Sequence, residues 1–240
     1  MQLVDLIFIV LLFAVQPIYG FFENRRYTAQ ARAGKPFDRV RFYRLTMAVE
    51  WAFFAALAAA WWFYGRPVTD LGVVAVGGPA LWGGAALLLL LTGLLLYSWR
   101  TVITASNADK EKQRESLGDI AKYLPQTAEE LRLFMGVSIT AGIVEEIVYR
   151  GFVIWFLVQF MPIWAAVIIS SVAFGLAHGY QGAKGALRTG LVGLAFGIFY
   201  VVTGSIWLPI IAHVLLDALQ GAALYGLLRR DNDAPQPTPA

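Results

Sequence analysis

The chain contains no cysteine. That excludes a disulfide framework, a thiol nucleophile and a cysteine-ligated metal. Histidine is nearly as scarce, with two among 240 residues, and charged residues make up only 15%. With so little charge and 58% apolar residues, the composition departs from that of soluble domains, which are about 45–50% apolar. The mean hydropathy is strongly positive. A net charge of +3 is modest. The basic residues stand between apolar runs, which suits membrane orientation and argues against a nucleic-acid partner.

The sequence is rich in long apolar runs. A membrane span needs about 20 mostly apolar residues. Seven segments qualify, at roughly 3–22, 43–64, 80–98, 132–160, 163–180, 188–203 and 205–228. The expected fold is all-α: a polytopic transmembrane helical bundle, organised as N-terminal spans (1–128), a helical core (129–228) and a polar, proline-rich disordered tail (229–240). The first run lacks a positive flank, carries Asp5 and shows no small-x-small cleavage site. It reads as a retained span, with a kink at Pro17. Thr127 and Glu130 have the spacing of a helix-starting capping box. Basic residues crowd alternate loops: Arg25 to Arg44, Arg100 to Arg132, Lys184 with Arg188, and Arg229 with Arg230. By the positive-inside rule those loops are cytoplasmic, with the N-terminus outside and the C-terminus inside. Trp61, Trp62, Trp99 and Trp207 lie near span ends, where an interfacial aromatic belt is expected.

Against this background a few ionisable residues stand out. Glu145, Glu146 and Arg150 lie in the fourth span, His178 ends the fifth, and His213 and Asp217 lie in the seventh. Such residues are costly in a bilayer and are functional candidates by default. Counting about 1.5 Å per residue from the outer ends puts Glu145 and His178 roughly 24–26 Å inward, and Arg150 and Asp217 roughly 18 Å. These depths permit one shared polar cavity in the cytoplasmic half. Glu146 and Arg150 are four apart and can pair along one helix face. Glu145 points about 100° away, toward the cavity. Phe174, one turn before His178, can wall it. Small residues, including Gly142, Gly175 and the Gly193-x-x-x-Gly197 pair, allow close helix approach and read as internal packing. Glu50, in the second span, reads as interfacial or as the partner of a basic loop residue.

A carboxylate in a dry cavity is a stronger base than one in water. Glu145 is therefore a candidate general base on water. His178 can share that water or pass a proton to a leaving amine. His213 can donate to an oxyanion and Asp217 can orient His213. No serine is placed as a nucleophile, although Ser170 and Ser171 precede His178 by two turns. The inventory fits direct water attack on a peptide carbonyl. Glu145, His178 and His213 are also the residues that would hold a divalent metal such as zinc. The usual His-Glu-x-x-His signature is absent.

Three fragments, Glu145-Glu146-x-x-x-Arg150, Phe174-x-x-x-His178 and His213-x-x-x-Asp217, resemble the motif set of the CAAX protease and bacteriocin-processing (CPBP, or Abi) family. Its best-known branch is the type II CAAX prenyl endopeptidases. The resemblance covers about 129–228. It implies an intramembrane endopeptidase, a hydrolase of the cell membrane, probing a membrane-associated and, in that branch, prenylated substrate. It further implies that Glu145 and His178 activate water, that His213 and Asp217 serve the oxyanion, and that Glu146 and Arg150 support the site. Members were long called metalloproteases. The prenyl-protease branch usually has asparagine where this chain has Asp217. An ionised carboxylate only accepts hydrogen bonds, so this departure points to a prokaryotic-type branch with other substrates. Two competing readings are a non-catalytic membrane scaffold or immunity protein that retains the site, and a proton-coupled transporter. No repeat relates the two halves, which ranks the transporter last.

Overall fold

The structure is a computed structural model that describes residues 2–75 and 77–229. The expected disordered tail and Arg230 therefore lie outside the described residues, save Arg229. Among the described residues every regular element is helical. The fold is an all-α membrane bundle. Helix α1 is Leu3–Arg32, α2 Arg39–Phe63 and α3 Gly78–Thr104. A polar helix, α4 (Asn107–Leu117), and a 3₁₀ segment, Gly118–Tyr123, follow. Helix α5 begins as Ala128–Glu146, passes through a π-helical segment, Ile147–Val153, and ends as Ile154–Leu157. Then come α6 (Ile163–Ala177), α7 (Gly182–Thr203) and α8 (Trp207–Leu228).

A helix stands at each of the seven expected positions. Five are long and apolar enough to cross a membrane: Leu3–Arg32, Arg39–Phe63, Gly78–Thr104, Gly179–Thr203 and Trp207–Leu228. Helix α6 is apolar but shorter, at 15 residues. Helix α1 runs well past the apolar run because Glu23, Arg25 and Arg26 tolerate a solvated helix as readily as a loop. Pro17 sits just after a π turn, Leu11–Val15. Pro17 has no N–H to offer the preceding turn, and the wider turn accommodates that loss.

Local signals fix the helix starts. Thr127 Oγ1 accepts from the Glu130 amide at 3.2 Å, and Glu130 Oε2 accepts from the Thr127 amide at 3.1 Å. The capping box thus closes as its spacing predicts. Asp38 Oδ1 caps α2 by accepting from the Arg41 amide at 2.9 Å. At the far end of α1, Lys122 Nζ donates to Thr28 Oγ1 at 2.7 Å and Asn24 Oδ1 at 3.0 Å. Burial there pushes the Lys122 ammonium below its usual range.

Helix α5 is the axis of the bundle, with Phe152 and Val153 fully buried. It packs against α2 and α8, α8 also packs on α3, and α6 pairs with α7. Glycines set these distances. A Cβ on Gly142 would lie 2.4 Å from Val214 Cγ2 and 3.1 Å from the Val214 amide nitrogen. On Gly193 it would meet Phe174 Cδ1 at 2.9 Å, and on Gly197 Val167 Cγ1 at 2.8 Å. The glycine pair is internal packing. Gly142→Ala should therefore wedge α8 from α5 and lower stability by about 1–3 kcal/mol, the usual cost of overpacking. An unchanged thermal midpoint in detergent would refute this.

Two expectations about polar and aromatic residues need correction. Trp61 is buried and not in an interfacial belt, because its indole Nε1 donates to the Pro67 carbonyl at 3.1 Å. It also supports Arg66, which lies 5.1 Å from the Trp61 ring and 4.8 Å from that of Trp155. Arg66 in turn binds buried Asp5 in a two-pronged pair at 2.7 and 2.8 Å. Trp62, by contrast, is exposed. Glu50 pairs with no basic loop residue among the described residues: it is half-buried, and its Oε2 is buried with no hydrogen-bond partner.

Candidate active site

Helix α5 supplies Glu145, Glu146 and Arg150; α6 ends on Phe174 and His178; α8 carries His213 and Asp217. The bundle brings all seven together. Glu146 and Arg150, 0% and 1% exposed, pair at 2.9 Å through Oε1 and Nη1. Arg150 Nη2 donates to the Gly193 carbonyl at 2.9 Å. The guanidinium lies 4.4 Å from the centre of the Phe174 ring. Phe174 is a wall of the site, 4.7 Å from the His178 ring.

One link was not legible in the sequence. His213 Nδ1 lies 2.7 Å from Glu146 Oε1. Since Glu146 also receives Arg150, it joins α5 to α8 and fixes the His213 ring. The expected orienting group, Asp217, instead faces the other nitrogen, with Oδ2 3.5 Å from Nε2. The i, i+4 spacing within α8 suggested that contact, whereas the link to Glu146 depends on how two helices are rotated against each other.

The two imidazoles present matching atoms to Glu145. His178 Nδ1 lies 2.8 Å from the Phe174 carbonyl. A carbonyl only accepts, so Nδ1 carries the proton. In the neutral ring Nε2 is then a bare lone pair, 3.9 Å from Glu145 Oε1. His213 Nε2 lies 3.8 Å from Glu145 Oε2. Those separations are too long for hydrogen bonds, yet one water off the line can stand about 2.8 Å from both groups. Glu145 Oε2 is buried and has no partner in the protein. Glu145 and His178 side chains are each 15% exposed and Asp217 34%, so the cavity opens on the Asp217 side.

The serines are committed elsewhere. Ser170 Oγ donates to the Tyr149 carbonyl and Ser171 Oγ to the Val167 carbonyl, each at 2.7 Å. Tyr149 lies in the π segment of α5, so Ser170 satisfies a backbone group that the wider turn releases. Among the described residues no three His, Asp or Glu side chains are grouped to hold a metal ion. Glu145, His178 and His213 nonetheless converge, with both Nε2 atoms nearly 4 Å from the carboxylate. Ligand atoms about 2.0–2.2 Å from one ion can stand that far apart, so these three are the side chains that would hold a divalent metal such as zinc, with Glu146 and the Phe174 carbonyl on the far ring nitrogens. One residue near the site was missed: Tyr180, in the 3₁₀ turn Gly179–Gln181, places its ring 5.8 Å from that of His178. Glu50 on α2, which packs against α5, keeps its Oε2 buried without a partner.

Comparison with known proteins picks out the same stretch of the chain. The family model described as Type II CAAX prenyl endopeptidase Rce1-like matches residues 127–219, the stretch holding every residue above except Glu50. The chain is 35% identical over 80 residues to the protein described as "Putative membrane peptidase YdiL" from Bacillus subtilis (strain 168). That alignment spans 33% of this chain and 32% of the relative, about a third of each. No solved structure matches. The three motif fragments fall inside the matched region, and over that stretch the chain is similar to the type II CAAX prenyl endopeptidase Rce1-like family.

Proposed function

We propose that the protein is an intramembrane endopeptidase that hydrolyses a peptide bond in a membrane-associated protein or peptide. The observation that carries this reading is Glu145 Oε2, a buried carboxylate oxygen without a protein partner, with the Nε2 atoms of His178 and His213 at 3.9 and 3.8 Å from the carboxyl group. Water fills that gap, donating one hydrogen to Glu145 and the other to the bare Nε2 of His178. Glu145 takes the proton as the oxygen attacks the scissile carbonyl carbon. Positioned base catalysis of this kind contributes about 10²–10⁴-fold.

His213 serves the developing oxyanion. Its Nδ1–H is held by Glu146, so Nε2 donates only when the ring is an imidazolium. Glu146, Asp217 and Glu145 each place a carboxylate oxygen within 4 Å of a ring nitrogen. Asp217 stays an acceptor beside Nε2 and needs no proton of its own. Glu146 and Arg150 position His213 and touch no reacting atom. No metal is needed in any of these steps.

The remaining features of the reading concern place and partner. Seven helices cross the membrane, with the N-terminus outside and the site in the cytoplasmic half of a prokaryotic cell membrane; the alternating loop charges support this. The substrate is a lipid-embedded or lipid-anchored peptide, prenylated or not, because the site lies within apolar helices. The test is to compare membrane-peptide termini in cells carrying wild type, Glu145→Gln or His178→Ala. Termini present with wild type and lost with both variants identify the substrate. If both variants cut as wild type does, the proposal fails. Feeding the identified peptide with and without its lipid separates prenyl recognition from peptide recognition.

A further inference from the structure

The mechanism above needs His178 to keep a bare Nε2 aimed toward Glu145, yet His178 stands where a helix holds its residues least. Helix α6 ends at Ala177, and His178 is its C-terminal cap, at φ −93° and ψ 15°. The His178 amide donates to the Gly175 carbonyl at 3.1 Å, and the His178 carbonyl accepts from the Gln181 amide at 2.9 Å. Helix ends fray, because their last carbonyls have no helical partner. The hydrogen bond from Nδ1 to the Phe174 carbonyl, at 2.8 Å, fixes one atom of the ring. The imidazole can still swing about that atom. Such a swing moves Nε2, on the far side of the ring, away from the carboxylate.

Two aromatic rings adjoin the imidazole. Phe174 lies 4.7 Å from it and Tyr180 5.8 Å, the latter tilted by 37°. Both fall within the range of about 4.5–7 Å over which aromatic pairs attract. Tyr180 comes from the short 3₁₀ turn Gly179–Gln181 and needs a support of its own. Tyr123 supplies it, with ring centres 5.3 Å apart at 74°. Tyr123 is buried and fixed at two points. Its carbonyl accepts from Tyr43 Oη at 2.7 Å, and its Oη donates to Asn24 Oδ1 at 2.9 Å. Lys122 Nζ donates to the same Asn24 oxygen. The C-terminal half of α1 also packs directly on the Gly179–Gln181 turn. A line of rings therefore runs from α1 and α2, through the Gly118–Tyr123 segment, to His178. Asn24, Tyr43 and Tyr123 all lie outside the matched residues 127–219.

We infer that Tyr180 is a positioning residue: its ring, braced by Tyr123, stops the His178 imidazole from swinging and keeps Nε2 directed toward Glu145. The inference rests on the endopeptidase reading above. Tyr180 touches no reacting atom and gives up no proton. Its hydroxyl adds little, since it receives Gln181 Nε2 only at 3.4 Å, beyond the usual range of about 2.7–3.2 Å. The ring is what acts. The N-terminal helices and the Gly118–Tyr123 segment thereby gain a task in the reaction, although they carry none of the seven residues of the site.

The chain has only two histidines, so isotope-labelled histidine gives two imidazoles whose ring nitrogens can be read by NMR in detergent. In wild type the His178 nitrogens should report one tautomer, with the proton on Nδ1. Tyr180→Ala should move them toward the average of both tautomers and leave the His213 nitrogens in place. On the identified peptide, kcat should fall about tenfold with KM unchanged, a fraction of the roughly 10²-fold that a 1 Å misplacement can cost. Tyr180→Phe should match wild type in both measurements. Tyr180→Leu keeps most of the bulk and takes the place of the alanine variant should that one not fold. Tyr123→Leu, one ring further out, should shift the His178 signals in the same direction but by less. His178 signals that stay put when the Tyr180 ring is removed overturn the inference. So does a phenylalanine variant as impaired as the alanine one, which would assign the effect to the hydroxyl, or a raised KM at constant kcat, which would make Tyr180 a substrate contact. A wild type that cleaves no peptide, but whose His178 signals respond to Tyr180→Ala, would defeat the endopeptidase reading and leave the positioning role standing.

Discussion

Glu145→Gln should abolish peptide cleavage while leaving the fold as stable as before, or more so. Glutamine keeps the shape of glutamate but cannot take a proton from water. The expected loss is at least about 10³-fold in kcat, toward the upper end of what a positioned base provides. Stability should move the other way because Glu145 Oε2 has no hydrogen bond to lose. Burying a charge without a direct protein hydrogen bond is costly, and a neutral amide lowers that cost. The measurement is a pair of numbers from one preparation: initial rate on the identified peptide and thermal midpoint in detergent. Activity within tenfold of wild type would exclude Glu145 as the base. A collapsed midpoint would recast it as structural. His178→Ala should share the loss of rate, but it also opens a cavity beside Phe174, so the midpoint should fall.

Arg150→Met should be the most destabilising single change in the core. It removes the guanidinium that pairs with a fully buried Glu146 and leaves the Gly193 carbonyl without its donor. Breaking a buried pair from one side costs about 3–5 kcal/mol, because an uncompensated charge remains. Lysine should not rescue it: one ammonium does not reproduce a planar group that reaches Glu146 with one nitrogen, Gly193 with another, and lies against Phe174. The double variant Glu146→Gln with Arg150→Met should recover part of the stability, since no buried carboxylate is left unpaired. It should not recover activity, because His213 loses the carboxylate that holds its Nδ1. A single variant within about 1 kcal/mol of wild type would show that the pair is not what holds α5, α7 and α8 together.

Most of the bundle was legible because long apolar runs punctuated by basic loops leave few alternatives. The Glu146–Arg150 pair and the exclusion of Glu145 from it followed from spacing on a single helix. What escaped were contacts between helices. Hydropathy gives depth along a span but not rotation about its axis, so the burial of Glu50 Oε2 without a partner could not be read from it. Trp61 was misplaced for the same reason: position near a span end says nothing of whether a ring faces lipid or Arg66. The Glu146–His213 contact joins residues 67 positions apart, and nothing local announces it. The structural task of Ser170 was hidden too, because the π segment whose carbonyl it satisfies leaves no mark in an apolar sequence.

That π segment has a genetic consequence. Between Ile147 and Val153 the backbone holds more residues per turn than the helix on either side. The two ends of α5 are therefore out of phase, and a uniform heptad or 3.6-residue count drawn through both will assign one of them to the wrong face. Removing a single codon here would give a more regular helix and a worse protein. The tryptophan- and phenylalanine-rich end would swing by about 100° relative to the acidic end, carrying Phe152 and Trp155 away from the neighbours they now pack against. Drift should thus be tolerated on each side of the segment separately, whereas the number of residues within it is fixed.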